Sequence, residues 1–115
     1  MAATSYVPSP ELTLDIEKTA DATIVRGTGK ITLASADYFQ GTIRKLIPET
    51  KRIVLDLTGV EYIDSTGLGA LVSVYMAAGR AQCILELSNP KQRVRDLLNL
   101  TKLASVFEGH TFGGL

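Results

Sequence analysis

Carboxylate and hydroxyl side chains come together in one short segment of the chain, Asp64-Ser65-Thr66-Gly67. An apolar stretch and a short polar turn lead into this segment, and a helix-like pattern without charge follows it as far as Gly79. Such a helix start leaves backbone N–H groups free at the positive end of the helix dipole, so it favours anions. Two interpretations stay open: Asp64 is a structural cap that accepts from the Thr66 or Gly67 N–H, or Ser65 is an exposed functional hydroxyl.

A serine beside an aspartate also raises the question of an enzyme. A nucleophile elbow needs glycine two residues before the serine, and Ile63 stands there. The one histidine, His110, belongs to the C-terminal tail, and no spacing rule brings it near Ser65. Residues 27–32 fail as a phosphate loop, because the glycine spacing is too short and isoleucine follows the lysine. We interpret those glycines as a bulge, bend or turn at the end of the second strand and expect no catalytic residue.

Composition limits the partners of the chain. Twelve basic and twelve acidic residues cancel, so no electrostatic footprint for nucleic acid is present. One cysteine, Cys83, and one histidine give no disulfide or metal framework, and we expect Cys83 to be a small core residue. No apolar run approaches the roughly 18 residues of a membrane span, and the N-terminus lacks a signal-peptide pattern. We expect a cytoplasmic protein without metal, cofactor or direct membrane insertion.

Hydrophobic periodicity predicts the elements that position the segment. Apolar runs predict four strands, at residues 12–17, 22–26, 53–57 and 82–87. Three helices are predicted: the first ends at Pro48, the second has Gly79 as its C′ residue, and the third begins with Asn89 as its cap. The order β-β-α-β-α-β-α predicts an α/β fold with one mixed sheet, in which an antiparallel hairpin precedes parallel strands.

One domain accounts for this pattern, with residues 1–10 as a flexible lead-in, 11–108 as the domain and 109–115 as a tail. The apolar character of residues 53–57 predicts a strand covered on both faces, and residues 100–107 predict a further turn or short strand. The expected core positions of the three helices are Phe39, Ile43, Leu46 and Ile47; Leu68, Leu71, Val72, Tyr75 and Met76; and Val94, Leu97 and Leu98.

The side of the second helix opposite its expected core positions is small and uncharged, which is unusual because surface helices normally carry charge there. It comprises Gly69, Ala70, Ser73 and Ala77. Either another element of the domain covers this side, or it is a flat docking surface for a partner protein.

Two consecutive stretches carry a family resemblance. Ile53-Val54-Leu55-Asp56-Leu57-Thr58-Gly59-Val60 and Tyr62-Ile63-Asp64-Ser65-Thr66-Gly67-Leu68-Gly69-Ala70-Leu71 resemble the signature of STAS domains. The most similar subgroup is the bacterial anti-sigma factor antagonists, and the resemblance runs from about Leu12 to Phe107. It implies a single domain with a four- to five-stranded mixed sheet and helices mainly on one face.

The resemblance also implies a partner switch in transcription regulation and the stress response. An unmodified antagonist, which is not an enzyme, binds an anti-sigma factor that is usually a serine-protein kinase, and thereby frees the sigma factor. Phosphorylation of the serine after the motif aspartate breaks that complex. Here that serine is Ser65, and Thr66 is a weaker candidate.

The residues expected to bind the partner surround this serine. Many antagonists carry Gly-Glu-Leu-Asp after the second strand, whereas this chain has Gly29-Lys30-Ile31-Thr32, so a lysine and a threonine replace two acids. A closing helix usually follows the region that corresponds to residues 103–107, whereas this sequence continues with residues 109–115. The expected partner-binding set is Lys30, Thr32, Asp64, Ser65, Thr66, Gly67, Gly69, Ala70, Ser73 and Ala77.

Other functions stay open at this level. A STAS-type scaffold or transporter-associated subunit would bind protein without phosphorylation. A nucleotide or small-anion sensor would use the helix start as its anion site. A homodimer is also an open alternative.

Overall fold

Four strands and three helices make up the part of the chain that the computed structural model describes, residues 8–101. They are β1 (Leu12–Lys18), β2 (Thr23–Ile31), α1 (Ala36–Leu46), β3 (Arg52–Ile63), α2 (Ser65–Arg80), β4 (Ile84–Ser88) and α3 (Gln92–Leu100), with a short 3₁₀ turn at Ile47–Glu49. The predicted tail, His110 and most of the predicted element at 100–107 lie outside the described residues.

The strands form one mixed sheet in the order β1-β2-β3-β4. β1 and β2 pair as an antiparallel hairpin, with Leu12 opposite Gly29 and Lys18 opposite Thr23. β2 and β3 are parallel, as are β3 and β4, and a helix connects each parallel pair. The predicted α/β fold with a mixed four-stranded sheet is confirmed.

β2 and β3 both extend beyond the predicted ends, as far as Ile31 and Ile63. The prediction of a turn at the glycines of β2 is therefore wrong, as is the polar turn after the apolar part of β3, whereas the alternative of a bulge at the glycines agrees with the structure. The pairing of β2 with β3 absorbs the glycines through register shifts on either side of Thr28. Gly29 has φ +117°, and a Cβ there would lie 2.1 Å from the Glu11 carbonyl oxygen. Glycine therefore lets the start of β1 approach β2 closely.

One face of the sheet carries the core. Alternate residues of every strand are buried there beneath the helices, which indicates that all three helices lie on this face. The predicted core positions of α1 are buried, as are Val94 and Leu98 of α3. The largest fully buried side chains are Phe39, Ile31, Ile43, Ile53, Leu55, Leu57, Leu71, Leu85, Leu87, Leu98 and Val25.

The opposite face of the sheet is polar and partly exposed. Arg26 donates to Glu17 of β1 at 2.8 Å, and Arg52 donates to Glu86 of β4 at 2.7 Å. Val54 of β3 lies on this face and is only partly buried. The prediction that residues 53–57 are covered on both faces is therefore wrong for residues 8–101, in which long charged side chains and no second helical layer lie on this face.

The end of α2 differs from the prediction, since Gly79 lies inside the helix and is not its C′ residue. Gln82 takes that position in the left-handed conformation at φ 59°. Its N–H donates to the Gly79 carbonyl at 3.1 Å, and the Cys83 N–H donates to the Ala78 carbonyl at 2.8 Å. These two bonds form a Schellman motif, which satisfies the last carbonyls without glycine.

The start of α3 also differs from the prediction. Asn89 is not its cap, because α3 begins at Gln92 and Lys91 occupies the N-cap position without a side-chain hydrogen bond. Asn89 instead has φ 52° and lies in the turn that follows β4. An asparagine tolerates this left-handed conformation better than most residues.

Cys83 lies just before β4 and is buried. Burial raises the pKa of its thiol, since the surroundings disfavour the thiolate. The prediction of a core cysteine is confirmed.

The Schellman motif predicts that Gln82→Gly stabilises the fold. A non-glycine residue in the left-handed conformation costs about 1–2 kcal/mol, and the greater freedom of glycine in the unfolded chain offsets part of that. We expect the free energy of unfolding to rise by up to about 1 kcal/mol in urea denaturation followed by circular dichroism. Gln82→Ala keeps a Cβ and is the control. Equal effects of the two substitutions would contradict a backbone origin.

Candidate functional site at the start of α2

A single carboxylate organises the junction between β3 and α2. Asp64 is the one residue between the two elements and occupies the N-cap position of α2. Its Oδ1 accepts from the Gly67 N–H at 2.8 Å, and its Oδ2 accepts from the Leu33 N–H at 3.1 Å. The Asp64 N–H donates to the Ile31 carbonyl at 3.2 Å. The start of α2 is thereby attached both to the end of β2 and to the loop before α1.

Gly67 sets how closely α2 approaches the sheet. A Cβ at this position would lie 1.9 Å from the Ile31 carbonyl oxygen, which no side chain can accommodate. Gly67 is also buried. It was expected to bind a partner; the structure gives it a packing role inside the domain.

Ser65 and Thr66 form the first turn of α2, and both are exposed. Among the described residues, neither hydroxyl takes part in a hydrogen bond. Asp64 is their nearest acidic neighbour in sequence, and both its oxygens accept backbone N–H groups. The junction thus presents two accessible hydroxyls at the positive end of a helix dipole.

The side of α2 that was considered as a docking surface is largely covered by the domain itself. Ala70 is only 2% exposed and belongs to the core. Ala77 is partly buried and packs against that core. Ser73 is partly buried, and its Oγ accepts from Arg44 Nη2 of α1 at 2.7 Å. Of the four residues only Gly69 is exposed, so the interpretation that another element covers this side fits the structure better.

The exposed side of α2 is rotated away from the predicted one. Met76 was expected in the core but is 51% exposed, whereas Val74 is fully buried. The exposed positions that follow Ser65 along the helix are Gly69, Met76 and Gly79, with Val72 partly exposed between them. This strip carries no charge before Arg80.

The loop at residues 32–35 packs beside the junction and is held by side chains. Thr32 Oγ1 donates to the Glu11 carboxylate and accepts from the Ala34 N–H at 3.2 Å. Ser35 is fully buried, and its Oγ accepts from the Thr32 N–H at 2.9 Å and donates to the Lys30 carbonyl at 2.8 Å. The Glu11 carboxylate, just before β1, therefore lies beside Thr32, one of the two residues that replace the acids of the Gly-Glu-Leu-Asp segment.

Lys30 and Thr32, both expected in the partner-binding set, take different positions. Thr32 is partly buried at the start of the loop and holds it to Glu11. Lys30 is exposed and lies opposite Tyr62 in the register of β2 and β3. The structure therefore joins Thr32, Asp64, Ser65 and Thr66 into one corner.

Two features of this corner were missed in the sequence. Glu11 reaches it from 21 residues away, and Leu33 reaches Asp64 across 31 residues. Leu33 is 75% exposed. Local periodicity does not predict such contacts, although Gly29, whose left-handed conformation lets Glu11 approach, stands out in the sequence as the second glycine of Gly27-Thr28-Gly29.

A match to a family model shows to which protein family the chain belongs. The model of the STAS domain matches residues 13–114, nearly the whole chain. The chain belongs to the STAS domain family. The resemblance of the Asp64-Ser65-Thr66-Gly67 region is thereby confirmed at the level of the family.

Solved structures with the same fold include proteins of two kinds. An anti-sigma factor antagonist from Mycobacterium paratuberculosis is 24% identical with a TM-score of 0.72, over 89% of this chain and 88% of that one. The phosphorylated form of SpoIIAA, a Bacillus cell fate determinant, is 17% identical with a TM-score of 0.64, over 81% and 86%. A sulfate transporter family protein from Wolinella succinogenes is 26% identical with a TM-score of 0.72, over 84% and 80%. Within the STAS family, this chain thus shares its fold with antagonists and with a transport protein.

Metal and membrane chemistry find no support in the described part of the chain. Within residues 8–101, no three His, Cys, Asp or Glu side chains are arranged to hold a metal ion. None of the helices described is both long and apolar enough to cross a membrane.

The two acceptor bonds of Asp64 predict that Asp64→Ala destabilises this STAS domain. Loss of a helix N-cap costs about 0.5–2 kcal/mol, and the Leu33 N–H loses its partner as well. We expect the free energy of unfolding to fall by about 1–2 kcal/mol in urea denaturation, and hydrogen exchange at the Leu33 amide to accelerate.

Asp37→Ala is the matched control. Asp37 is an exposed aspartate in the first turn of α1, where no side-chain cap bond forms. Its loss removes only a dipole interaction of about 0.3–1 kcal/mol and leaves the Leu33 amide unchanged. A Leu33 amide that exchanges at the wild-type rate in Asp64→Ala would show that the bond across the corner is unimportant in solution.

Proposed function

We propose that this STAS domain is an anti-sigma factor antagonist that acts in a partner switch, not as an enzyme. It binds an anti-sigma factor with serine-kinase activity in the cytoplasm, and phosphorylation of Ser65 releases it. The observation that carries the proposal is the exposed Ser65 hydroxyl on a helix start that Asp64 and Gly67 hold in place. The fold shared with solved antagonists supports it.

The helix start explains how phosphorylation leaves the domain folded. A phosphoserine carries about −1.5 to −2 charges at neutral pH and three acceptor oxygens. At the first position of α2, the free N–H groups of the first turn and the helix dipole both favour this charge. These favourable interactions oppose the repulsion from the neighbouring Asp64 carboxylate, so we expect the modified domain to stay folded.

The exposed neighbours of Ser65 explain how the same phosphate breaks a complex. Thr66 and Gly69 are exposed and uncharged, so a partner can cover them without desolvating charge. A phosphate placed there must be desolvated beside the Asp64 carboxylate, which costs binding energy and adds like-charge repulsion. About 1.4 kcal/mol lowers affinity tenfold, and one dianion in an uncharged interface exceeds that.

A related protein gives this scheme a chemical precedent. SpoIIAA has been solved unphosphorylated, with a TM-score of 0.68 to this chain, and phosphorylated, with a TM-score of 0.64. Both forms of that protein thus share the fold described here, which supports a switch that acts at the surface and not through unfolding.

The likeness to the sulfate transporter family protein, at 26% identity, favours a second candidate function. In that case the chain is a scaffold or a transporter-associated subunit that binds protein through the same fold without phosphorylation. Nucleotide or small-anion binding at the start of α2 would be a third outcome, visible as a ligand-dependent rise in melting temperature.

The proposal predicts that Ser65→Glu weakens binding to the anti-sigma factor at least about tenfold, while the domain stays folded. Isothermal titration with the kinase-type anti-sigma factor of the same organism measures the affinity, and circular dichroism measures the fold. We expect phosphorylation in the presence of ATP at Ser65, read by mass spectrometry, and none in Ser65→Ala.

Thr66→Ala is the matched control, because it removes the neighbouring exposed hydroxyl and keeps Ser65. It should still be phosphorylated at Ser65. Phosphorylation of Ser65→Ala at the wild-type rate would contradict the assignment of the site. Capture of a membrane transport complex whose binding is insensitive to Ser65→Glu would instead select the scaffold function.

A further inference from the structure

Leu33 is the most exposed large apolar residue near the proposed switch, at 75%. Single exposed leucines are common on protein surfaces and mean little by themselves. This one differs because it stands on a loop in which every backbone N–H from residue 32 to residue 36 is hydrogen-bonded. The acceptors are Ser35 Oγ, Asp64 Oδ2, Thr32 Oγ1 and, for the last two groups, the Thr32 carbonyl.

That loop is also anchored from outside. Thr32 Oγ1 donates to the Glu11 carboxylate, and Ser35 Oγ donates to the Lys30 carbonyl. The loop therefore fixes the backbone from which the Leu33 side chain projects. A partner that buries this side chain has to order only its rotamer, at a cost of about 0.5–1 kcal/mol, and not the loop as well.

Asp64 fixes Leu33 and Ser65 relative to each other. Its Oδ2 lies 3.1 Å from the Leu33 nitrogen, and Ser65 follows it directly in the chain. Exposed, uncharged residues stand on both sides of the partly buried Asp64: Leu33 and Ala34 on the loop, and Ser65, Thr66 and Gly69 on α2. We call these five residues the switch surface.

We propose that Leu33 is the apolar anchor through which the switch surface binds the anti-sigma factor. The inference rests on the proposed function and adds a requirement on the partner: an apolar pocket beside the groups that receive the Ser65 hydroxyl. The Asp64 carboxylate between the two contacts already accepts from two backbone N–H groups, so one partner can cover both contacts. The charge of a phosphate on Ser65 would bind water. This water would oppose the desolvation of Leu33 that binding requires.

Leu33→Ser tests the inference. Loss of a buried leucine side chain from an interface weakens binding by about tenfold or more, and we expect that change in the dissociation constant from isothermal titration. The rate of Ser65 phosphorylation at limiting protein should fall in parallel, because docking precedes transfer. Leu33→Met keeps an apolar side chain of similar volume and should retain most of the affinity.

Ile16→Ser is the matched control. Ile16 is a comparably apolar residue, 44% exposed, on β1. Substitutions of exposed residues away from special features change free energies by about 0.5 kcal/mol or less, so binding should stay within about twofold of the wild type. Circular dichroism and urea denaturation should show both serine variants folded.

The outcomes separate the inference from the function on which it rests. If the wild type binds and is phosphorylated while Leu33→Ser behaves identically, the inference is wrong and the proposed function stands. If the wild type binds no anti-sigma factor, both are wrong. If Leu33→Ser changes only self-association in sedimentation, a second copy of the chain is the occupant of Leu33, and the inference is overturned.

Discussion

The corner of this STAS domain depends on one carboxylate with two acceptor oxygens. Asp64 uses one oxygen to start α2 and the other to hold the loop that carries Leu33. Because the two bonds share one rigid group, the helix start and the loop cannot move independently. The close approach of Gly67 to the Ile31 carbonyl also fixes the distance between the start of α2 and the sheet. These contacts determine the positions of the exposed residues at this corner.

The exposed residues at this corner are uncharged, and this would give the proposed modification its effect. The ion pairs of the described residues lie elsewhere, with Arg26–Glu17 and Arg52–Glu86 on the open face of the sheet. Those exposed or half-exposed pairs add little to stability, but they keep that face solvated. The exposed start of α2 is uncharged by contrast, so one added phosphate changes its character completely. The open face of the sheet is charged and the exposed start of α2 is not, because of where the charged residues lie in the sequence.

Local patterns predict much of this arrangement. The rest cannot be predicted from them, and the reasons can be identified. The stripe Phe39–Ile43–Leu46 stands out because polar residues separate its members, and it is buried as predicted. α2 offers no such contrast, since Val74 and Met76 are equally apolar; its rotation is set by the contact of Gly67 with β2, which no period reveals. The Asp64-Ser65 pair was visible as a motif, but Leu33 joins it only through a bond across the folded chain.

The residues of the corner lie far apart in the sequence, and this has a consequence for folding. Glu11, Thr32, Leu33 and Asp64 come from three separate segments, and closing such loops carries an entropy cost before any contact rewards it. These bonds therefore form late in folding, after the local hairpin of β1 and β2. The corner exists only in completely folded molecules, so a partner that recognises Leu33 together with Ser65 would discriminate against nascent and damaged chains without a separate quality check.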